Sequence, residues 1–367
     1  MKVRQAVVMV GGKGTRLRPL TENRPKPVLP VAGKPCVWYL LRSMARAGIE
    51  EIILACGYRS EMIEEALGDG SDLGVKIIYS DEDEPVGTGG ALKILEDSLD
   101  EVFLAANGDV FADIDITGQV DRHFSSGADV TIALASVPNP WEFGVARVSD
   151  DGFITEFREG MKPDEVFSDM INAGVYVVNR DVLSSVPKGA FYDFSKQLFP
   201  EIIGRGGRLA GFRIRGVWMD VGRPSDYMKA NMLVVSRETR VVGMTCAGSL
   251  VDVYIGNGSA SVNSHLDSVC LMNRAVSTGC VMRRVVMLEG SLAEDAIIEN
   301  SIIGRNCMIM PGAKIRNSVL ADRETVERGE SRDDGLDLGA SSWSRRGPRC
   351  SCRASPRPRA SWPPCEP

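Results

Sequence analysis

Apolar runs at Ala6–Val10, Ile52–Ala55, Val75–Tyr79 and Val102–Ala105 each have the length of one buried strand. Between them, apolar positions recur at helical spacing. Val37, Leu40, Leu41, Met44 and Ala45 form one stripe, with Gly48 placed to end it. Met62, Ile63 and Leu67 form a second, and Ala91–Leu95 belongs to a third. This alternation predicts βαβ units around a parallel sheet, an α/β fold. From residue 129 to 215 the pattern turns strand-rich, with runs at Val130–Ala135, Gly144–Val148, Phe153–Phe157 and Ile171–Val178. These are expected to extend the first sheet into a mixed one that builds a substrate pocket. Pro224 suits a first helical position and opens a helix leading out of a first domain, residues 1–238.

The pattern then changes period. Ile297, Ile303, Ile309 and Ile315 recur every six residues, with Gly304 and Gly312 between them. A hexad with one aliphatic residue suits a flat face of a three-sided parallel β-helix, and residues 246–321 would supply about four coils. Past Ala321 the hexad stops. Residues 322–367 are rich in Arg, Ser and Pro and read as a disordered tail. A functional basic tail and a reading-frame change are the alternatives.

A length of 367 residues allows two domains, and 44% apolar with 25% charged residues is ordinary for a soluble globular protein. A net charge of −6 argues against broad nucleic-acid binding. Nine cysteines without a Cys-x-x-Cys pair argue against structural zinc and for small buried hydrophobes in a reducing, cytoplasmic setting. The two histidines, His123 and His265, leave no material for a histidine triad, and both read as structural. No apolar run reaches the ~18 residues of a membrane span, and no signal-like segment precedes the first strand, so no membrane association is expected.

One cationic cluster stands out in this acidic chain. Directly after the first strand the sequence reads Gly11-Gly12-Lys13-Gly14-Thr15-Arg16-Leu17-Arg18-Pro19, then Arg24-Pro25-Lys26-Pro27. Gly11, Gly12, Gly14 and Thr15 remove side-chain bulk where a strand ends, opening backbone N–H groups to a polyphosphate. Arg16, Arg18, Arg24 and Lys26 add positive charge. A Walker A loop does not fit, because Lys13 precedes Gly14 and Pro19, Pro25, Pro27 and Pro30 prevent an immediate helix. The dinucleotide fingerprint fails at Leu17, where its third glycine belongs. The loop therefore suits a nucleoside triphosphate. Asp109 follows the fourth strand, where α/β sheets bind ligands. Asp220 lies among Trp218, Met219 and Val221, and such an acid is costly to bury unless it is paired or holds metal.

The order Gly-Gly-x-Gly-Thr-Arg-Leu, then Pro-Lys-Pro, resembles the sugar-1-phosphate nucleotidylyltransferases. Within that family it is most similar to the mannose-1-phosphate guanylyltransferases, across residues 3–320. The resemblance implies a Rossmann-like domain followed by a left-handed parallel β-helix. It implies nucleotidyl transfer from an NTP to a hexose 1-phosphate. GTP with mannose 1-phosphate is favoured, and glucose 1-phosphate with UTP or dTTP is the alternative. It assigns Mg2+ to Asp109 and Asp220, the leaving phosphates to Arg16, and the phosphates near the reacting centre to Lys26. Glu84-Pro85-Val86-Gly87-Thr88-Gly89 resembles the family's base-binding loop, with Gly87 and Thr88 offering backbone contacts. A carboxylate only accepts hydrogen bonds, so Glu84 tilts the choice toward guanine, with its two adjacent donors. Gly144, Glu159 and Asn172 fall in segments resembling the hexose-binding elements. Gly160 departs from the pattern, standing where the family commonly has a lysine on the sugar phosphate. Lys162 is expected to replace it from the same side of an extended segment. The departure keeps open a regulatory or assembly subunit. Stacked coils expose flat faces, so a homo-oligomer through the β-helix is expected.

Overall fold

In a computed structural model of the chain, which describes residues 2–12, 14–81, 86–237 and 239–339, Gln5–Met9 runs through the middle of a nine-stranded mixed sheet. Glu51–Cys56 and Val102–Asn107 flank it in parallel, and Lys76–Asp81 forms one edge. Beyond Val102–Asn107 the direction reverses at Met170–Asn179, which also pairs with Val130–Ser136 and, at Ile171, with Val145–Val148. These strands match the apolar runs of the sequence to within two residues at either end. One face of the sheet packs the helix Trp38–Arg46 through Leu40, Leu41 and Met44. The other face packs Ala91, Leu92, Phe194, Phe199 and Ile202.

A two-stranded pair that the sequence pattern did not reveal lies beside this sheet. Val110–Ile114 runs antiparallel to Gly216–Asp220, with Asp220 opposite Val110. That register brings Asp220 next to Asp109. Gly108 makes the turn between the two strand systems, because a Cβ there would lie 2.5 Å from Val10 Cγ1. The helix Ile116–Ser126 follows, and its His123 is held between Thr131 Oγ1 (3.0 Å) and Asn179 Oδ1 (3.1 Å).

Parallel pairing of a second kind runs from Arg240 to Asp333 and forms the β-helix. Met244 pairs with Ala260, Ala260 with Val276, Val276 with Leu292, Leu292 with Met308 and Met308 with Thr325. The coil is thus 16 residues long, then 17, rather than three hexads. The corners explain it. Three columns of positive φ recur once per coil: Ala247, Asn263, Gly279, Asp295 and Gly312; Asp252, Ser268, Arg284, Asn300 and Asn317; Gly258, Arg274, Gly290, Asn306 and Arg323. Such φ values are uncommon outside glycine, so columns of them mark turns imposed by the stack. Ile303, Ile309 and Ile315 point inward as expected, whereas Ile298 rather than Ile297 fills the interior.

The pairing also continues past Ala321, through Thr325–Val326 and Ser331–Asp333, with Val326 and Leu338 buried. The expectation of a disordered segment from residue 322 is corrected over 322–339. Its remainder, residues 340–367, lies outside the described residues. The two parts of the chain share a core. Leu17, Leu20 and Leu29 of the glycine-loop segment pack with Met228 and Met232 of the helix Pro224–Arg237. The same cluster contains Met272, Leu288 and Ile302 of the β-helix.

Candidate active site

The glycine loop leaves the central strand Gln5–Met9 and turns back at Gly14, whose φ of 61° favours glycine. A Cβ at Gly14 would lie 3.0 Å from Lys26 Cβ. Thr21 Oγ1 donates to Gly14 O at 2.7 Å, so the loop is tied to its own return segment. Lys26 is buried, and its ammonium donates to Asp109 Oδ2 at 3.1 Å and to Asp220 Oδ1 at 3.0 Å. Burial by itself would lower the Lys26 pKa. The charges of Asp109 and Asp220, and their hydrogen bonds, outweigh it and hold the pKa above the ordinary lysine value. Arg16 is exposed, with its guanidinium 3.7 Å from Asp220 Oδ2. Gly222 lets the two approach, since a Cβ there would lie 2.9 Å from Asp220 Oδ2.

Two cavities meet at this cluster. One, of about 170 Å³, is lined by Gly12, Gly14, Thr15, Arg16, Lys26 and Asp109. The other, of about 250 Å³, is lined by Thr88, Asp109, Gly144, Glu159, Asn172 and Asp220 together with Arg16. A larger cavity of about 540 Å³ adjoins them at Arg16, Trp218 and Asp220. It contains neither the loop glycines nor the expected hexose residues, so the chemistry is assigned to the smaller two.

A scan against family models matches residues 5–237 to the nucleotidyl transferase model. The chain belongs to the nucleotidyl transferase family. It is 35% identical to a mannose-1-phosphate guanylyltransferase of Mycobacterium tuberculosis, over 88% of this chain and 81% of that protein. It is 31% identical to a UTP–glucose-1-phosphate uridylyltransferase of Synechocystis, over 91% of this chain and 87% of that one. Among solved structures, a Bacillus anthracis protein described as a glucose-1-phosphate thymidylyltransferase aligns with a TM-score of 0.57 at 26% identity. That alignment covers 63% of this chain and 95% of the other.

Not every expected residue of this nucleotidyl transferase takes the place foreseen for it. Lys162 is exposed and is absent from the residues lining either cavity. Its backbone N–H donates to Glu165 Oε2 at 2.9 Å, in a short turn of its own. Gly160 adopts a φ of 71°, which breaks the extended geometry that would have kept Lys162 on the cavity side. Asn172 lines the cavity, but its amide donates to Tyr176 Oη (2.9 Å) and Ser195 Oγ (3.2 Å), while its Oδ1 accepts from Gly174 N (2.9 Å). These hydrogen bonds engage its amide group within the protein. Gly87 packs on Tyr192, with a Cβ there only 2.6 Å from the tyrosine carbonyl oxygen. Gly11 faces the backbone of Gly57. Glu84 and Lys13 lie outside the described residues. Arg24, counted with the phosphate-directed cations, points instead into the β-helix.

Several cavity residues were missed. Trp218 lies two residues before Asp220 and so shares its strand face, a signal available in the sequence. Its indole donates to Ala173 O at 2.8 Å and it stacks edge-on against Phe143. Asp193 and Ser195 come from the start of a short π-helical turn, Phe194–Leu198, too short to leave a periodic signal. Burial, and then the charge of Asp193, raise the pKa of Glu159 against the opposing influence of Lys196 and Ser195.

Proposed function

We propose that the chain transfers the nucleoside monophosphate of GTP to mannose 1-phosphate and releases pyrophosphate. The observation that carries this reading is the convergence of Arg16, Lys26, Asp109 and Asp220 where the glycine-loop cavity meets the cavity holding Gly144 and Glu159. The Mycobacterium tuberculosis relative supports the guanylyl and mannose assignment by its name.

An oxygen of the sugar phosphate attacks the α-phosphorus, and the bond to the bridging oxygen of the β-phosphate breaks. The electron pair leaves with pyrophosphate. The attacking oxygen is already anionic, so no proton has to be removed. The site residues suit that requirement, because the chemistry left to them is positioning and charge neutralisation. The loop amides and Arg16 face the triphosphate, and Lys26 presents a fixed ammonium at the reacting centre. Glu159, with its raised pKa, faces the hexose hydroxyls.

Asp109 and Asp220 would hold Mg2+. Two carboxylates, one from the turn after Val102–Asn107 and one from the end of Gly216–Asp220, converge on one cationic group, so the point already favours positive charge. Magnesium takes few carboxylates and completes its shell with phosphate oxygens and water. When bound, it neutralises charge on the phosphate oxygens.

A panel of triphosphates with mannose and glucose 1-phosphates tests the assignment by pyrophosphate release. GTP with mannose 1-phosphate should give a kcat/KM at least about tenfold above any other pair. Preference for UTP with glucose 1-phosphate would move the assignment toward the activity named for the Synechocystis relative. Silence with every pair would favour the regulatory subunit that Gly160 keeps open.

A homo-oligomer through the β-helix belongs to the same proposal. One outward column, Met244, Ala260, Val276, Leu292, Met308 and Thr325, carries no charge, and Met244, Leu292 and Met308 are exposed. The column through Arg283, Glu299 and Arg316 is instead ion-paired. Leu292→Glu combined with Met308→Glu should reduce the mass in light scattering to that of one chain. An unchanged mass would place the contact elsewhere. A cytoplasmic location suits the buried thiols, among them Cys36, which burial pushes up to about 12. Cell fractionation checks it. No described helix is long and apolar enough to cross a membrane.

A further inference from the structure

Arg24 is the most deeply placed ion-paired cation of the described glycine-loop segment, with 4% of its side chain exposed against 5% for Lys26. It does not face either cavity. Its Nη1 lies 3.4 Å from Glu289 Oε2, and its Nη2 lies 3.8 Å from Asp322 Oδ1. Glu289, Arg305 and Asp322 occupy one corner column of the β-helix, each a coil apart. Arg305 ties into the column by donating its backbone N–H to Asp322 at 2.9 Å. Arg24 therefore enters an acid–base–acid stack from the side, and joins two coils of the β-helix to the loop of the first domain.

Stability alone gives a poor account of this arrangement. Nε and Nη2 of Arg24 are buried without a hydrogen-bond partner. A buried ion pair with incomplete partners is often matched or exceeded by an apolar side chain of similar volume. What the charge adds is register, because it fits one point of the column. That register is passed on directly. Arg24 lies between Thr21, which holds Gly14, and Lys26, which holds Asp109 and Asp220. Leu17, within the Arg16–Pro19 turn, and Leu20, directly after it, rest on the same shared core.

We propose that Arg24 is a positioning residue through which the β-helix sets the placement of Arg16 and Lys26, and hence the affinity of the nucleotide side of the site. The inference rests on the nucleotidyl-transfer reading above. Arg24 does not line the hexose side, whose Gly144 and Glu159 lie apart from the glycine loop, so the effect falls mainly on the nucleotide even though Arg16 borders both cavities.

The test is Arg24→Met in the full chain. Its melting temperature should equal or exceed that of the wild type. The KM for GTP should rise about tenfold, as expected when charged groups shift by a fraction of an ångström to an ångström. The KM for mannose 1-phosphate should stay within about twofold. Arg24→Lys should restore part of the GTP affinity. The double variant Glu289→Gln and Asp322→Asn, which strikes the other side of the contact, should raise the GTP KM in the same direction. An unchanged GTP KM in Arg24→Met overturns the proposal. If Arg24→Met does not fold, the GTP KM of the double variant decides by the same criterion. A wild-type chain that transfers nothing overturns the catalytic reading instead. The GTP-induced rise in melting temperature, compared between wild type and variant, then carries the comparison.

Discussion

Asp220→Ala should lower turnover by at least ~10²–10³-fold, the usual cost of removing one electrostatic contact from a reacting centre. Two effects act together. The variant loses one of two carboxylates placed to hold Mg2+, and it leaves Lys26 with Asp109 alone. Burial then pulls the lysine pKa down against a single charge instead of two. Asp109→Ala should act in the same sense, although its side chain is 47% exposed against 22% for Asp220, so solvent replaces part of what it supplies. The measurement is kcat at saturating substrates and Mg2+, with melting temperature as a folding control. Near-normal turnover in a folded Asp220→Ala chain would remove Asp220 from the reacting centre.

Truncation after Ala321 should destroy the fold of the β-helix and, with it, activity. The cut removes Asp322, which faces buried Arg24 and accepts from Arg305. It also removes Val326 and Leu338 from the interior, and the carbonyls of Leu338 and Gly339 that accept from the Arg284 guanidinium. Stranding one buried charge costs about 3–5 kcal/mol. Each fully buried aliphatic side chain adds about 1.5–3 kcal/mol. Arg284, stranded without its two carbonyls, and two lost aliphatics together reach the whole stability of an ordinary domain, about 5–15 kcal/mol, while Arg24 keeps Glu289. A chain ending at Gly339 keeps these contacts and is the control. Equal melting temperature and turnover in the two chains would show that residues 322–339 do not stabilise the body.

The three inner parallel strands were legible because each is buried on both faces and so reads as an uninterrupted apolar run. Asp109 was legible for a related reason: it sits at the carboxyl end of such a strand, where the sheet stops and ligands bind. Asp220 was visible as an acid among apolar residues, but its neighbour was not. The strand pairing that brings it to Asp109 joins segments more than 100 residues apart, and only the register of Val110–Ile114 on Gly216–Asp220 decides it. Arg24 was misread for the same reason, since its partners lie in the β-helix and nothing local distinguishes it from Arg16. Lys162 failed on one backbone angle. The period-two argument holds only for extended chain, and Gly160 at φ 71° interrupts it. The coil length was obscured by chemistry at the corners. Asn, Asp, Ser and Arg share the left-handed positions with glycine, so glycine spacing alone does not show the 16-residue repeat.

The central claim is tested most directly by product stoichiometry in the wild-type chain. With GTP labelled in its α-phosphate, mannose 1-phosphate and Mg2+, the account predicts that labelled GDP-mannose and pyrophosphate form in equal amounts. Neither should appear when either substrate is left out. Orthophosphate release independent of the sugar phosphate, or label recovered only in free GMP or GDP, would contradict it.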